Sequence, residues 1–118
     1  MGVTRTAFDT TVDATLVAAQ GAGTYIKVVA ISMHNNNTTE SDDEVVRLKD
    51  GSAGSVLYGA ATGAIYLPGR GGVFQLAMSY DATDIANHAH FVLSANTELY
   101  MDITNGRRIS GAVWWTID

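Results

Sequence analysis

The chain of 118 residues has no cysteine. That excludes disulfides and thiolate metal sites, and it fits folding in a reducing cytoplasm. Basic residues are scarce: seven Lys and Arg stand against twelve Asp and Glu, a formal net charge of −5. Neutralising phosphates needs clustered Lys and Arg, so nucleic-acid binding through a basic surface is not expected. No window approaches the roughly 20 apolar residues of a membrane-spanning helix. The opening MGVTRTAFDTT carries no apolar run of the kind a signal peptide needs. Gly2 and Thr6 fit an N-myristoylation pattern, but no polybasic segment supports it, and the match is read as chance. There is one proline, and long Glu/Lys/Leu helical faces are missing. What remains is rich in Gly, Thr, Ser, Asn, Val and Ala, with turn signals along most of its length. That is the composition and spacing of an all-β sandwich or barrel.

A length near 120 residues predicts one domain with a two-layer core. Residues 1–11 lack periodicity and are expected to form an extended N-terminal arm, with the β-domain running from 12 to 118. Residues 11–18 (TVDATLVA) predict a first strand with Val12, Ala14 and Leu16 on one side, and a helix over 12–20 is the competing reading. Residues 25–34 (YIKVVAISMH) form the strongest strand. It is apolar in both parities, as in a strand covered on both sides. A polar, acidic loop follows at 35–43 (NNNTTESDD). Further strands are expected at 45–49, 55–58, 65–67, 73–78 and 91–93, with a long irregular excursion at 79–90. The end of the chain reads as a hairpin. Leu99, Met101 and Ile103 alternate with Tyr100 and Asp102. After Asn105-Gly106, Ile109, Gly111, Val113, Trp115 and Ile117 alternate with Ser110, Ala112, Trp114 and Thr116. The fold expected is a single antiparallel β-sandwich, jelly-roll-like, of about eight strands.

Chemistry-bearing clusters are few. His88 and His90 share a face if they lie on a strand, and Asp81 or Asp84 could add a third metal ligand. Exposure to solvent or to a subunit contact is the plainer reading of the pair. Glu40, Asp42 and Asp43 offer oxygen ligands for calcium, but their spacing is not that of a calcium loop. His34 reads as a polar cap on the strongest strand. Pro68-Gly69-Arg70-Gly71-Gly72 lacks the following helix that a phosphate cradle requires. No nucleophile elbow appears, and the serines have no His and acid at telling positions. These patterns leave catalysis unsupported, although triads are spatial and not sequential, and no catalytic, metal or cofactor-binding residues and no cofactor are expected. Trp114 and Trp115 must point to opposite sides of their strand. The alternation sends Trp115 inward and Trp114 outward, to a second apolar layer or to a partner interface.

Several segments resemble the small β-sandwich virion structural proteins of tailed bacteriophages, the capsid decoration and head accessory proteins. They are IKVVAISMHN, VVRLKDGSAGSVLYGA, LPGRGGV and FVLSANTELYMDITNGRRISGAVWWTID, together most of residues 25–118. In such proteins an S-x-x-T-x-L segment precedes a last strand containing S-G-x-V. Here these are Ser94, Thr97 and Leu99, then Ser110-Gly111-Ala112-Val113. The excursion at 79–90 is longer than that pattern has. The resemblance implies a non-enzymatic protein made in the host cytoplasm and bound to the outer surface of the capsid. It would cement the lattice of the major capsid protein, often as a homotrimer at a local three-fold axis, without contact to nucleic acid or membrane. Arg5 and Phe8 of the arm, with Tyr100 and Trp114, are the expected interface residues. The alternative is a carbohydrate- or receptor-binding module of a tail or spike, with Trp114, Tyr100 and Asp102 as an aromatic platform.

Overall fold

A computed structural model describes residues 2–58, 65–78 and 89–117. The described residues form nine strands: β1 Thr4–Thr10, β2 Ala14–Val17, β3 Ile26–Asn35, β4 Glu44–Asp50, β5 Ile65–Leu67, β6 Val73–Leu76, β7 Phe91–Val92, β8 Leu99–Ile103 and β9 Ile109–Ile117. There is no helix among the described residues, so the helical reading of 12–20 is set aside. A five-stranded antiparallel sheet runs β1-β9-β3-β6, with β7 also pairing with β3. A four-stranded antiparallel sheet runs β2-β8-β4-β5. Strands that follow each other in sequence (β1 then β2, β3 then β4, β8 then β9) lie in opposite sheets. The chain therefore wraps around its core as a jelly roll.

β3 shows how the core is filled. Its residues are apolar in both parities, yet Ile26, Val28, Ile31 and Met33 all join one buried cluster. Val28 is opposite Trp115 and Ala30 is opposite Trp114, so Val29 is an extra residue in the ladder to β9. The bulge switches the inward parity from even to odd halfway along the strand. Val46 and Leu48 of β4, Leu99 and Met101 of β8, and Ile109 and Val113 of β9 complete the centre. Burying each such side chain contributes roughly 1.5–3 kcal/mol relative to exposure.

Four sequence expectations change. Residues 4–10 are not a free arm: they pair along their whole length with β9, Thr4 opposite Trp115 through Thr10 opposite Ile109. β8 and β9 are not a hairpin. β8 pairs with β2 and β4, while β9 pairs with β1 and β3. Asn105-Gly106 does turn the chain, with Gly106 at φ 70°, but the turn crosses from one sheet to the other. In β2 a register shift between Thr15 and Val17 buries Leu16 and Val17 together, and Val12 lies ahead of the strand and is exposed, where Val12, Ala14 and Leu16 were expected to share a side. Over residues 55–58 only a single bridge forms, between Lys49 and Val56.

Candidate functional site

The sheets turn two unlike outer faces outward. On the four-stranded sheet, Arg47 is opposite Asp102, and Lys49 is opposite Tyr100, which is also opposite Thr15. Lys49 Nζ lies 3.6 Å from an Asp102 carboxylate oxygen. The charges on this face pair with each other, and Val45 lies beside them opposite Tyr66, which is 58% exposed. Burial raises the Tyr100 phenol above its ordinary value, with Asp13, Asp102 and Glu98 adding to the effect.

The outer face of the five-stranded sheet reads in rows, because opposed residues of antiparallel strands point the same way. One row is Asp9, Ser110, His34 and Val73, from β1, β9, β3 and β6. The next is Ala7, Ala112, Ser32 and Gln75. The third holds Arg5, Trp114 and Ala30. Trp114 is half-buried beside the small Ala7, Ala112 and Ser32 of the middle row. Trp114 walls a groove of about 190 Å³ lined by Ala30, Ser32, Gln75, Leu76, Ala77 and Met78. Val73, Met78 and Val92 are 64%, 45% and 52% exposed, which is high for side chains of their type. The Arg5 guanidinium lies 5.7 Å from the Trp114 ring centroid, within cation–π range.

The polar row brings together an acid, a serine and a histidine, but not as a catalytic triad. A triad places the histidine between serine and acid. Here Ser110 stands in the middle, and its hydroxyl donates to Asp9 Oδ1 at 2.9 Å. Arg108 donates to the same carboxylate from Nε at 2.8 Å and Nη2 at 2.5 Å. These bonds, Arg108 first and then Ser110, hold the Asp9 carboxyl at about 2. The row is an anchored charge pair. Beside it, His34, Asn36, Asn37, Thr38, Arg70 and Gly71 line an open polar depression of about 360 Å³.

The loop carboxylates expected as possible calcium ligands go separate ways. Asp42 pairs with Arg107 at 3.3 Å, and Glu40 with Arg70 at 3.4 Å. Asp43 accepts from the Tyr66 hydroxyl at 2.7 Å and from Gly69 N–H at 3.0 Å, which together lower its pKa. No group of three or more His, Asp or Glu able to hold a metal occurs among the described residues. Asp81, Asp84 and His88 lie outside the described residues. His90 Nε2–H donates to the Ala77 carbonyl at 2.7 Å.

The four expected interface residues are divided. Arg5 and Trp114 stack on the outer face of the five-stranded sheet. Phe8 turns inward and packs against the core. Tyr100 belongs to the opposite outer face with Asp102, so no platform of Trp114, Tyr100 and Asp102 exists.

Sequence reasoning missed Glu44, which is fully buried. Its Oε1 accepts the backbone N–H groups of Val45 at 2.9 Å, Thr104 at 2.8 Å and Asn105 at 2.7 Å, and its Oε2 accepts that of Arg107 at 2.8 Å. The carboxylate satisfies the corner where the chain passes from β8 to β9. The signal was present, because Glu44 has the parity of the inward-facing Val46 and Leu48. No protein-family model, curated protein or solved structure matches this chain.

Proposed function

We propose that the chain is a non-catalytic capsid decoration protein of a tailed bacteriophage. It docks on the assembled lattice of the major capsid protein through the outer face of its five-stranded sheet and stabilises the head from outside. The observation that carries the reading is the anatomy of that face. Half-buried Trp114 and exposed Met78 wall an apolar groove, Val73 and Val92 are exposed on the same sheet, and Arg5, Asp9 and Arg108 add charges to it. An apolar, aromatic centre inside a polar rim is the arrangement of protein–protein interfaces. The sequence resemblance supplies the kind of partner. The jelly-roll sandwich, a fold that recurs in viral capsid and lectin domains, supplies a rigid carrier.

The carbohydrate- or receptor-binding alternative loses the aromatic platform on which it stood, because Tyr100 and Trp114 face opposite ways. Many copies on a repeating lattice gain by avidity, so each contact can be modest. The test is co-sedimentation of the purified protein with phage heads that lack it. Saturable binding, with heads that resist heat longer once coated, is expected. A folded protein that leaves the heads bare at every concentration would remove the proposal.

A further inference from the structure

We infer that β1 is a self-pairing edge, joining two copies of this chain about a two-fold axis into one continuous sheet. The other edge strands are short or interrupted. β2 has four residues and a register shift, β6 has four, β5 has three and β7 has two. Such edges resist pairing with another chain. β1 has seven residues, no proline and an unbroken register with β9. Among the described residues, no strand pairs with its other side. None of residues 4–10 makes a backbone–backbone hydrogen bond, among the described residues, beyond the ladder to β9.

The occupant follows from charge and parity. A two-fold axis perpendicular to a sheet keeps each residue on its own face, so opposed residues must share parity and the axis falls on one residue. With the axis on Ala7, Thr4 of one copy opposes Thr10 of the other, and Thr6 opposes Phe8. Arg5 of each copy then opposes Asp9 of the other, on the exposed outer face. Placing the axis on Arg5 or on Asp9 sets like charges against each other, which destabilises a cross-strand pair. Placing it on Thr6 or Phe8 opposes neither Arg5 nor Asp9 to a charge of the other copy and shortens the overlap. The register centred on Ala7 alone uses all seven residues and both charge pairs, and it forms roughly six to eight backbone hydrogen bonds. The small side chain on the axis does not obstruct the approach. Two copies joined this way present a doubled outer face. The unit is a two-fold dimer rather than the trimer that the resemblance implies. The inference rests on β1 alone and is tested without phage heads.

Sedimentation equilibrium across a dilution series is expected to show a monomer–dimer equilibrium. Arg5→Glu alone, and Asp9→Lys alone, each place like charges in both pairs and should weaken the dimer about tenfold or more. Mixing the two variants rebuilds both pairs in the heterodimer, Glu with Lys and Asp with Arg, so native mass spectrometry should find the mixed dimer restored. The cysteine-free background allows a second readout that does not depend on charge. Ala7→Cys places two thiols on the axis, where opposed Cα atoms about 4.5–5.5 Å apart suit a disulfide. Oxidation should give a covalent dimer, whereas Ser52→Cys should not. A chain that stays monomeric at every concentration, a dimer indifferent to Arg5→Glu, or a trimer that Ala7→Cys does not cross-link would each overturn the inference.

Discussion

The carboxylate of Glu44, at the start of β4, accepts the backbone N–H of Arg107 at 2.8 Å. With Thr104 and Asn105 bonded to the same side chain, one buried acid holds the corner that carries the chain from the four-stranded sheet to the five-stranded one. The position of β9, and hence of Trp114, depends on that corner.

Removing the acid should be costly. Glu44→Ala leaves a cavity at a fully buried position and takes away the side-chain acceptor of the Asn105 and Arg107 N–H groups, and is expected to lower stability by about 2 kcal/mol. Glu44→Gln keeps the shape but turns an amide donor towards other donors, and should cost about 2 kcal/mol. Urea denaturation followed by tryptophan fluorescence measures both. A midpoint unchanged by Glu44→Ala would contradict the role given to this residue.

Gly111 has a different cause of intolerance. A Cβ there would lie 2.0 Å from the Ser32 carbonyl oxygen and 2.8 Å from Met33 Cα, both on β3. Backbone atoms in a central strand cannot move aside cheaply, so Gly111→Ala should destabilise the protein by about 3 kcal/mol or prevent folding. Thermal unfolding of that variant beside Gly2→Ala, where nothing lies within 4 Å, isolates the effect.

The pH dependence follows from Asp9. Its carboxyl is lowered from an ordinary 3.8 to about 2 by Arg108 and Ser110. A group whose pKa falls on folding adds stability above its unfolded value and loses it as pH drops through the folded one. The contribution is therefore complete above pH 4 and disappears towards pH 2. An NMR titration of the side-chain carboxyl should find its midpoint near 2, and Arg108→Ala should return it towards 3.8. A midpoint near 4 in the unaltered protein would show that the pair does not persist in solution.

Strand alternation in the sequence was enough to place β4, β8 and β9, because their apolar residues recur at period two, and β3 was legible as an unbroken apolar run. Alternation says which side of a strand is buried. It does not say which sheet the strand joins, and so Leu99–Ile103 and Ile109–Ile117 looked like partners when they belong to opposite layers. The bulge at Val29 was hidden for a related reason: a strand apolar in both parities looks the same whether it is covered twice or switches sides. Residues 4–10 gave no periodic signal because an edge strand with half-buried residues needs little apolar content. Trp114 was placed outward correctly. Its setting with Arg5 and the groove depends on contacts between β1, β9 and β6 that lie far apart in the chain.

The most direct measurement compares Trp114→Ala with Tyr100→Ala in the head co-sedimentation assay, after confirming that both variants fold. The outer face of the five-stranded sheet is the proposed docking surface, so Trp114→Ala should weaken binding about 30-fold or more, as loss of a central aromatic anchor does. Tyr100→Ala, on the opposite face, should bind like the unaltered protein. Equal binding by Trp114→Ala, or a loss confined to Tyr100→Ala, would contradict the account.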